Sequence, residues 1–254
     1  MTGEDTPGRS VIRIEGADRE SFLQGLITND IRRLRDGALY AAFLSPQGKY
    51  LADFLLIPFP DAILLDVASD LADSLLRRLS MYKLRADVRL EKTALHVRRG
   101  LGPAPDGGFA DPRHPALGWR AYTETPGTTP AIDWDHIRVT HLIPESGIEL
   151  IPDETYILEA GFERLNGVDF RKGCYVGQEV TARMKHKTEL RKGLARVAVT
   201  GAAEPGTQIT AGGKEVGQLL TRSGDQAIAY LRFDRAGETM QAGAAIVRLL
   251  VAEG

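Results

Sequence analysis

Several features that mark specialised protein classes are scarce or missing in this 254-residue sequence. A single cysteine excludes an internal disulfide and any metal site that needs several thiolates from this chain. The five histidines show no metal-site spacing, so we predict no bound metal. No apolar run approaches the roughly 18 to 20 residues that a membrane-spanning helix requires. The formal net charge of -2 excludes a global attraction to nucleic acid or membranes.

The first ten residues, MTGEDTPGRS, lack the basic region and the apolar core of a secretory signal. They also lack the Arg-rich amphipathic character of a mitochondrial presequence. Together with the single cysteine, which fits a reducing compartment, this pattern predicts a cytoplasmic protein.

What the sequence does contain is enough apolar material, 43% of its residues, for sizeable cores in a chain longer than the commonest single domain. Alternating apolar residues predict strands at 11–15 and 62–67. A helix is predicted from Asp18, with residues 28–30 (TND) ending it. A second helix is predicted to begin with Ser69 as its N-cap and to turn Leu71, Leu75, Leu76 and Leu79 inward.

Turn and breaker residues organise the rest of the chain. Apolar runs at 39–44 and 51–57, joined by SPQG, predict a β-hairpin. The Gly- and Pro-rich stretch 100–130 indicates a long connection or a domain boundary. Helices are predicted at 133–142 and 177–187. Five short β-like runs after residue 191 predict a small antiparallel barrel or sandwich.

The segment KGCYVGQE carries the strongest chemical signal in the sequence. Lys172 and Arg171 precede Cys174 closely, and Gly173 and Gly177 lie on either side of it. Cationic neighbours and the start of a helix favour the thiolate form of a cysteine. Glycines allow close backbone approach to a ligand. The alternative interpretation is that a lone cysteine is a small buried apolar residue.

Positive charge is concentrated in and after this segment. Between Arg171 and Arg196 there are eight Lys or Arg residues and two Glu, a local net charge of +6. Such a stretch suits the anionic glutamate tail of folate, an acidic protein partner or RNA, and it also suits a plain basic surface. Aromatic residues do not interleave it beyond Tyr175, so a base-stacking RNA platform is poorly supported.

KGCYVGQE resembles the signature of the YgfZ family, which includes mitochondrial relatives that act late in [4Fe-4S] assembly. SFLQGLITNDI, AAFLSPQGKYLADFLL and DPRHPALGWR resemble further segments of that family, so the resemblance covers most of the chain. The family shares the fold of the glycine-cleavage aminomethyltransferase GcvT and is described as binding tetrahydrofolate. The resemblance therefore implies an α+β fold, a multidomain ring with mostly antiparallel sheets and a small C-terminal β-barrel.

The resemblance also implies three domains. Residues 10–44 together with 118–188 form an interleaved α+β folate-binding domain. Residues 45–117 form an inserted α+β domain, and residues 189–254 form the barrel.

The resemblance further implies which residues carry function. Cys174 and Lys172 are the predicted catalytic pair. The implied cofactor is tetrahydrofolate or a one-carbon derivative, and its predicted binding residues are Asn29, Asp30, Asp53, Glu159, Tyr175, Gly177, Gln178, Glu179 and Arg183. Two alternatives stay open: Asn29 and Asp30 as ordinary helix-terminating residues, and Glu159 as an ordinary surface acid.

The predicted function is that of a tetrahydrofolate-binding accessory protein in iron–sulfur cluster assembly or repair, supporting enzymes such as tRNA-modifying ones. Its predicted partners are assembly or client proteins and folate, including polyglutamylated folate, with no membrane and no direct RNA binding. The role of Cys174 stays open among redox chemistry, cluster contact and capture of a one-carbon unit. One thiolate cannot hold a [4Fe-4S] cluster, which usually takes four cysteines.

The alternative function is a folate-dependent methyl- or aminomethyltransferase, so whether the protein is an enzyme stays open. GcvT enzymes carry adjacent aspartates on the hairpin, whereas here Ala52 precedes Asp53. The missing carboxylate argues against aminomethyl transfer and leaves folate binding untouched.

Overall fold

The computed structural model describes residues 3–186 and 189–250. The chain divides into two compact units: unit 1 comprises Met1–Ile132, Pro152–Glu154 and Phe162–Ala182, and unit 2 comprises Asp133–Ile151, Thr155–Gly161 and Arg183–Gly254. The division into three domains stays a prediction.

Unit 1 contains antiparallel sheets and α-helices. Its helices include α1 (Arg19–Gln24) and α2 (Ser69–Lys83). Its strands are β1 (Glu4–Asp5), β2 (Arg9–Glu15), β3 (Leu39–Leu44), β4 (Tyr50–Phe59), β5 (Ala62–Ala68), β6 (Arg89–Lys92), β7 (His96–Gly100), β8 (Phe109–Ala110) and β9 (Trp119–Thr123). One sheet has the order β3-β4-β5-β2-β6 and the other the order β1-β7-β9-β8.

The predicted hairpin is confirmed by the antiparallel pairing of β3 with β4. Ser45 O accepts a 2.8 Å hydrogen bond from Gly48 N in the connecting turn. Gly48 has a φ of +74°, which glycine adopts without steric cost. β3 is buried along its whole length and β4 along most of it. Such strands read as continuous apolar runs because both of their faces are covered.

The predicted helix after Ser69 packs on this sheet through residues spaced three and four apart. Ala72, Leu75 and Leu79 of α2 are buried in the same apolar core as Phe43 and Phe54 of the hairpin. Burying a leucine side chain contributes about 1.5–3 kcal/mol. The predicted inward face is confirmed, since Leu75 and Leu79 are buried and Leu71 and Leu76 pack partly buried against the same core.

Two predicted helix boundaries are wrong. Helix α1 ends at Gln24 rather than at residues 28–30, and after it the amides of Leu26 and Ile27 both bond to the Leu23 carbonyl. Ser69 is the first residue of α2 and caps nothing. Its hydroxyl lies 2.9 Å from Ser10 Oγ on the neighbouring strand, so that strand competes for the capping group.

The stretch 100–130, predicted as a long connection or a domain boundary, contributes to a sheet. Strand β9 pairs with β7 and β8, and a 3₁₀ turn spans Pro115–Leu117. Gly118 has a φ of +61°, and an added Cβ would lie 2.1 Å from Gly100 O. The strands here are short and separated by glycine and proline, which hides their alternation.

Unit 2 contains helix α3 (Trp134–His141), and helix α4 (Gln178–His186) runs from unit 1 into unit 2. Both were predicted; residue 187, the predicted end of α4, lies outside the described residues. Asp133 caps α3 by accepting the His136 amide at 2.9 Å. In the part of the chain that is described, no helix is long and apolar enough to cross a bilayer.

The last part of unit 2 is a closed antiparallel barrel with the order β10-β13-β12-β11-β14-β15. Its strands are β10 (Lys192–Thr200), β11 (Gln208–Ala211), β12 (Lys214–Ser223), β13 (Gln226–Arg232), β14 (Met240–Ala242) and β15 (Ala245–Leu249). The barrel prediction is confirmed. The three-residue β14 was missed because it is too short to display alternation.

Candidate functional site

The signature segment forms a loop that crosses the end of α1 in unit 1. Val176 N donates to Gly25 O at 3.3 Å, and Asp169 N donates to Thr28 O at 3.0 Å. These bonds fix the backbone on both sides of Cys174. The cysteine is free and exposed, so the interpretation of a small buried apolar residue is wrong. The loop presents one thiol to solvent on a fixed backbone.

Gly177 permits close packing of this loop on the β3–β4 turn. Its φ is +82°, and an added Cβ would lie 2.6 Å from Ser45 O. The turn approaches equally closely, since a Cβ on Gly48 would lie 2.8 Å from Val180 Cβ. Gly173 differs, because an added Cβ there would meet nothing within 4 Å. Gly177 is therefore needed for close approach.

We expect Gly177→Ala to destabilise unit 1 by at least about 2 kcal/mol, because the left-handed backbone and the steric clash add together. Gly102→Ala is the matched control, since Gly102 has a φ of +79° but open space around its Cβ position. Urea unfolding of both variants measures the difference. Equal losses would show that the approach of Gly177 to Ser45 carries no cost.

The buried side chain of Lys172 connects the loop to the end of α1. Its side chain is 5% exposed, and Nζ donates to Gln24 O at 2.7 Å and to Ile27 O at 2.5 Å. The ammonium also lies 4.9 Å from the centre of the Tyr175 ring. None of the contacts in the described residues joins Lys172 to the thiol of Cys174. A positioning role is therefore visible, whereas thiol activation stays a prediction.

Burial lowers the pKa of Lys172 to about 8, although Asp30 and Asp169 partly oppose the shift. Between about pH 8 and pH 10.4 the unfolded chain binds more protons at this lysine, so its contribution to stability improves as pH rises. Lys172→Met removes this titration. We measure the unfolding free energy of both proteins in urea at about pH 7.5 and about pH 10. The stability of wild type relative to Lys172→Met should be greater at the higher pH. A difference independent of pH would contradict the assignment.

Asn29 and Asp30 lie in unit 1 beside the loop and are both engaged. Asn29 Nδ2 donates to Tyr40 O at 2.8 Å and to Asn166 O at 2.7 Å. Asp30 caps a 3₁₀ helix (Ile31–Asp36) and accepts a double hydrogen bond from Arg32. The Arg32 hydrogen bonds outweigh partial desolvation and lower the pKa of Asp30 to about 2. Asp30 therefore starts that 3₁₀ helix and does not end α1, so the helix-terminating interpretation is not confirmed; folate binding by either residue stays a prediction.

Asp53 is buried on β4 between two tyrosines. It accepts hydrogen bonds from Tyr50 Oη at 2.7 Å and from Tyr40 Oη at 3.0 Å. Burial and the Asp53 charge raise the pKa of Tyr40 well above its usual value, so this tyrosine stays a hydrogen-bond donor. Ala52 is also buried, with its side chain in the apolar core. The two positions therefore point to opposite faces of the strand.

The remaining signature residues differ in exposure. Tyr175 is buried, and desolvation raises its pKa to about 12 despite a hydrogen bond with Thr181. Gln178 is partly exposed and opens α4 with its amide bonded to Tyr175 O at 3.2 Å. Glu179 and Arg183 are exposed. Arg183 belongs to unit 2, so the compact units do not group it with Cys174.

Glu159 lies in unit 2, where it is buried and not the surface acid of the alternative interpretation. It accepts a 2.8 Å hydrogen bond from Tyr230 Oη and lies 4.0 Å from Lys192 Nζ. It borders a cleft of about 950 Å³ whose lining is Glu159, Met184, Glu189, Leu190, Arg191, Lys192 and Arg232. Part of the predicted basic stretch therefore faces a cleft.

A buried ion network in unit 1 escaped sequence reasoning. Asp66 accepts from Arg9 Nε at 2.6 Å and from Arg120 Nη1 at 2.8 Å. Arg120 also reaches Asp111 at 3.3 Å, and Asp111 pairs with Arg113 at 2.7 Å. Only the Asp111–Arg113 contact had a sequence signal, namely the DPR string.

Within the described residues, no cluster of three His, Cys, Asp or Glu could hold a metal ion.

Comparison with known proteins gives consistent matches. The family described as CAF17, C-terminal β-barrel domain, matches residues 191–253. Mitochondrial iron–sulfur cluster assembly factor IBA57 of Mus musculus is 32% identical over 89% of this chain and 76% of its own length. The Homo sapiens protein of the same name is 31% identical over 88% of this chain and 75% of its own. This chain belongs to the IBA57 family.

The YgfZ resemblance is supported in part. The matching relatives are named as iron–sulfur cluster assembly factors, but they carry the name IBA57 and not YgfZ. The predicted cytoplasmic location is corrected, because these relatives and the Neurospora crassa homologue are all named as mitochondrial proteins. The prediction rested on the absence of a recognisable presequence, which is weak evidence.

The predicted fold is confirmed by a solved structure. The glycine cleavage system aminomethyltransferase T from Bartonella henselae has a TM-score of 0.77 over 98% of this chain and 84% of its own. Its sequence identity is 14%, so this likeness concerns the fold alone.

Proposed function

We propose that this protein is a YgfZ-type accessory factor in iron–sulfur cluster assembly or repair that acts through Cys174 and binds tetrahydrofolate. Its relatives are named as iron–sulfur cluster assembly factors. The observation that carries the proposal is the exposed, free Cys174 on a loop held by its neighbours' backbone bonds. Clients of the pathway include cluster-dependent enzymes such as those that modify tRNA.

Cys174 supplies one ligand to a cluster that a partner shares. Iron–sulfur clusters are usually held by four cysteine thiolates, and this chain has one cysteine. The partner must therefore provide the remaining ligands. A thiolate on a fixed loop offers a defined geometry for this contact, because its backbone needs no rearrangement when the partner arrives.

Tetrahydrofolate is the proposed ligand, and calorimetry under anaerobic conditions tests it. We expect one molecule bound per chain and tighter binding of the polyglutamylated form, because cations such as Arg183 and Arg191 attract its carboxylates. Arg191→Gln should reduce the preference for polyglutamate, while Lys214→Gln, at an exposed barrel position, serves as the charge-matched control. Absence of binding heat with both folates would remove the ligand assignment and leave the role of Cys174 to its own test.

A second candidate is a folate-dependent one-carbon transferase. The fold of an aminomethyltransferase and a free cysteine, which can act as a nucleophile, favour it. Ala52 and the two tyrosine hydroxyls on Asp53 argue against it, since a reacting carboxylate needs access to substrate. Turnover of formaldehyde or an aminomethyl donor with tetrahydrofolate would favour the transferase. Binding without turnover favours the accessory factor.

A further inference from the structure

The C-terminal end of α2 leads into a tight turn with an apolar residue at its tip. Ala86 N donates to Lys83 O at 2.8 Å, which closes a four-residue turn with Leu84 and Arg85 in the middle. Leu84 has a φ of 45° and a ψ of -105°, close to the first central position of a type II′ turn. That position favours glycine, because a side chain there crowds the backbone. The turn nevertheless carries a branched leucine.

Burial does not offset the conformational cost at Leu84. Its side chain is 88% exposed, so glycine would relieve the strain and remove apolar surface from water. Strained positions of this kind persist where the residue serves a function. Met81, about one helical turn earlier, is 67% exposed, and Tyr82 is 39% exposed. These three residues, named the α2 tip, therefore offer apolar side chains to another molecule.

Cations lie beside the α2 tip. Lys83 and Arg85 stand on either side of Leu84 in the sequence. In the described parts of the chain, neither cation makes an ion pair with a carboxylate. The carboxylate of Asp87, the next acid along the chain, accepts the Ala17 amide at 3.1 Å. Lysine and arginine have long apolar stems, so their charged ends reach an anionic surface while the stems lie among apolar groups.

The α2 tip is held on the core of unit 1 from both sides. The ring of Tyr82 meets Phe43 edge-on, with centroids 5.9 Å apart. Leu79, one turn before the tip, and Val88, just after the turn, are both buried in the apolar core. Contact with another molecule therefore requires little ordering of the chain, which lowers the entropy cost of binding.

A membrane surface fits the α2 tip better than a protein partner does. A stable protein interface buries about 800 Å² on each partner, far more than three side chains provide. Lysine is also depleted in protein interfaces. Peripheral membrane contact needs only a few apolar side chains among cations, because acyl chains have no fixed shape to match and anionic headgroups attract the charges. Tyrosine is enriched at the boundary between headgroups and acyl chains.

We propose that the α2 tip docks the protein on an anionic phospholipid surface, with its apolar side chains among the acyl chains and the flanking cations at the headgroup phosphates. The contact is peripheral and does not span the bilayer. This inference goes beyond the proposed function, because it uses neither Cys174 nor folate. The prediction of no membrane partner followed from the net charge of the whole chain and from the lack of a long apolar run, and neither property describes a local surface.

Flotation of the full chain with vesicles tests the proposal. Vesicles made of phosphatidylcholine and phosphatidylglycerol in equal amounts should bind the protein, and binding should weaken as salt rises. Vesicles of phosphatidylcholine alone should bind it about tenfold more weakly or less. Met81→Ser with Leu84→Gly should weaken binding to the anionic vesicles by about tenfold or more, because apolar insertion is lost. Leu84→Gly alone should leave the Tm unchanged or raise it, because glycine relieves the strain.

The contribution of the cations is tested by Lys83→Gln with Arg85→Gln. Each cation near an anionic surface contributes about fivefold to binding, so the double variant should bind about tenfold or more weakly and depend less on salt. Leu101→Ser and Lys214→Gln are the matched controls, since both positions are exposed and lie outside the α2 tip. Both controls should bind like wild type.

Leu84→Trp measures insertion directly. The native Trp119 and Trp134 are buried, so their emission should change little on binding. The introduced indole should emit at shorter wavelength when anionic vesicles are added, and brominated acyl chains should quench it. Vesicle binding without either change would show that the α2 tip stays in water, which overturns the proposal.

Three further results would also overturn the docking inference. The first is failure of wild type to bind the anionic vesicles. The second is equal vesicle binding by wild type and the α2-tip variants, which would place the attraction on another basic surface. The third is self-association, or binding to a protein, that depends on the α2 tip while vesicles are not bound. None of these results bears on Cys174, so the proposed function is decided by its own experiments.

Discussion

Cys174→Ser is expected to abolish rescue of a strain that lacks its endogenous assembly factor, while the protein folds normally. The side chain is exposed, so the substitution removes no core packing. Serine is nearly isosteric but is a poor ligand for iron in this setting, because the thiolate is the form that binds. The activities of cluster-dependent enzymes in the rescued strain measure the effect.

Protein abundance and Tm are the controls for Cys174→Ser, and both should match wild type. Cys174→Ala separates loss of the sulfur from introduction of a hydroxyl and should behave in the same way. Full rescue by either variant at normal abundance would reject the thiol as the functional group and leave only family membership.

Asp66→Asn is expected to destabilise unit 1 by about 3–5 kcal/mol, because it leaves buried cations without their shared counter-charge. Arg9 and Arg120 both bond to this carboxylate, and Tyr122 Oη donates to it at 3.0 Å. The matched control is Asp73→Asn, which breaks an exposed ion pair with Lys92 and should change the unfolding free energy little. Urea unfolding measures both, and equal effects would contradict the importance of burial.

The buried ion pairs of Asp66 and Asp111 also determine how the stability of unit 1 changes at acid pH. Burial alone would raise the pKa of Asp111, but Arg113 and Arg120 outweigh it and hold the pKa at about 2. A depressed carboxyl pKa contributes stability above the unfolded value of about 3.9, and this contribution is lost as pH falls toward about 2. The pKa of Asp66 is lowered by Arg9 and Arg120 against the same desolvation. Acid unfolding of wild type should therefore steepen below about pH 4.

Sequence patterns identified the local elements of the fold well where the periodicity was long. The hairpin of β3 and β4, the inward face of α2 and the barrel runs were all visible, because strand and helix periods act between near neighbours. Residues 100–130 were predicted as a long connection or a domain boundary. The strands β8 and β9 within them were missed because they are short and are flanked by glycine and proline, which hide the alternation.

The sequence also predicted some features of the candidate site and missed others. The segment KGCYVGQE predicted a functional Cys174 and glycines that admit a ligand; the structure shows that Cys174 is exposed and that Gly177 approaches Ser45, and the ligand role stays a prediction. The sequence did not show that the Lys172 ammonium bonds to the carbonyls of Gln24 and Ile27, and the predicted effect of Lys172 on the thiol stays a prediction. Proximity in sequence does not determine where a long side chain points.

By itself, the sequence determined that this protein has one thiol, a glycine-bracketed signature around it, and the apolar periodicity of an α+β protein with a C-terminal barrel. These properties depend on residue types and short spacings. Tertiary structure alone decided that the thiol is exposed, that Asp66 gathers two arginines, and that Leu84 is a strained, exposed residue beside cations. Those properties depend on burial and on contacts between distant segments, which arise only when the chain packs.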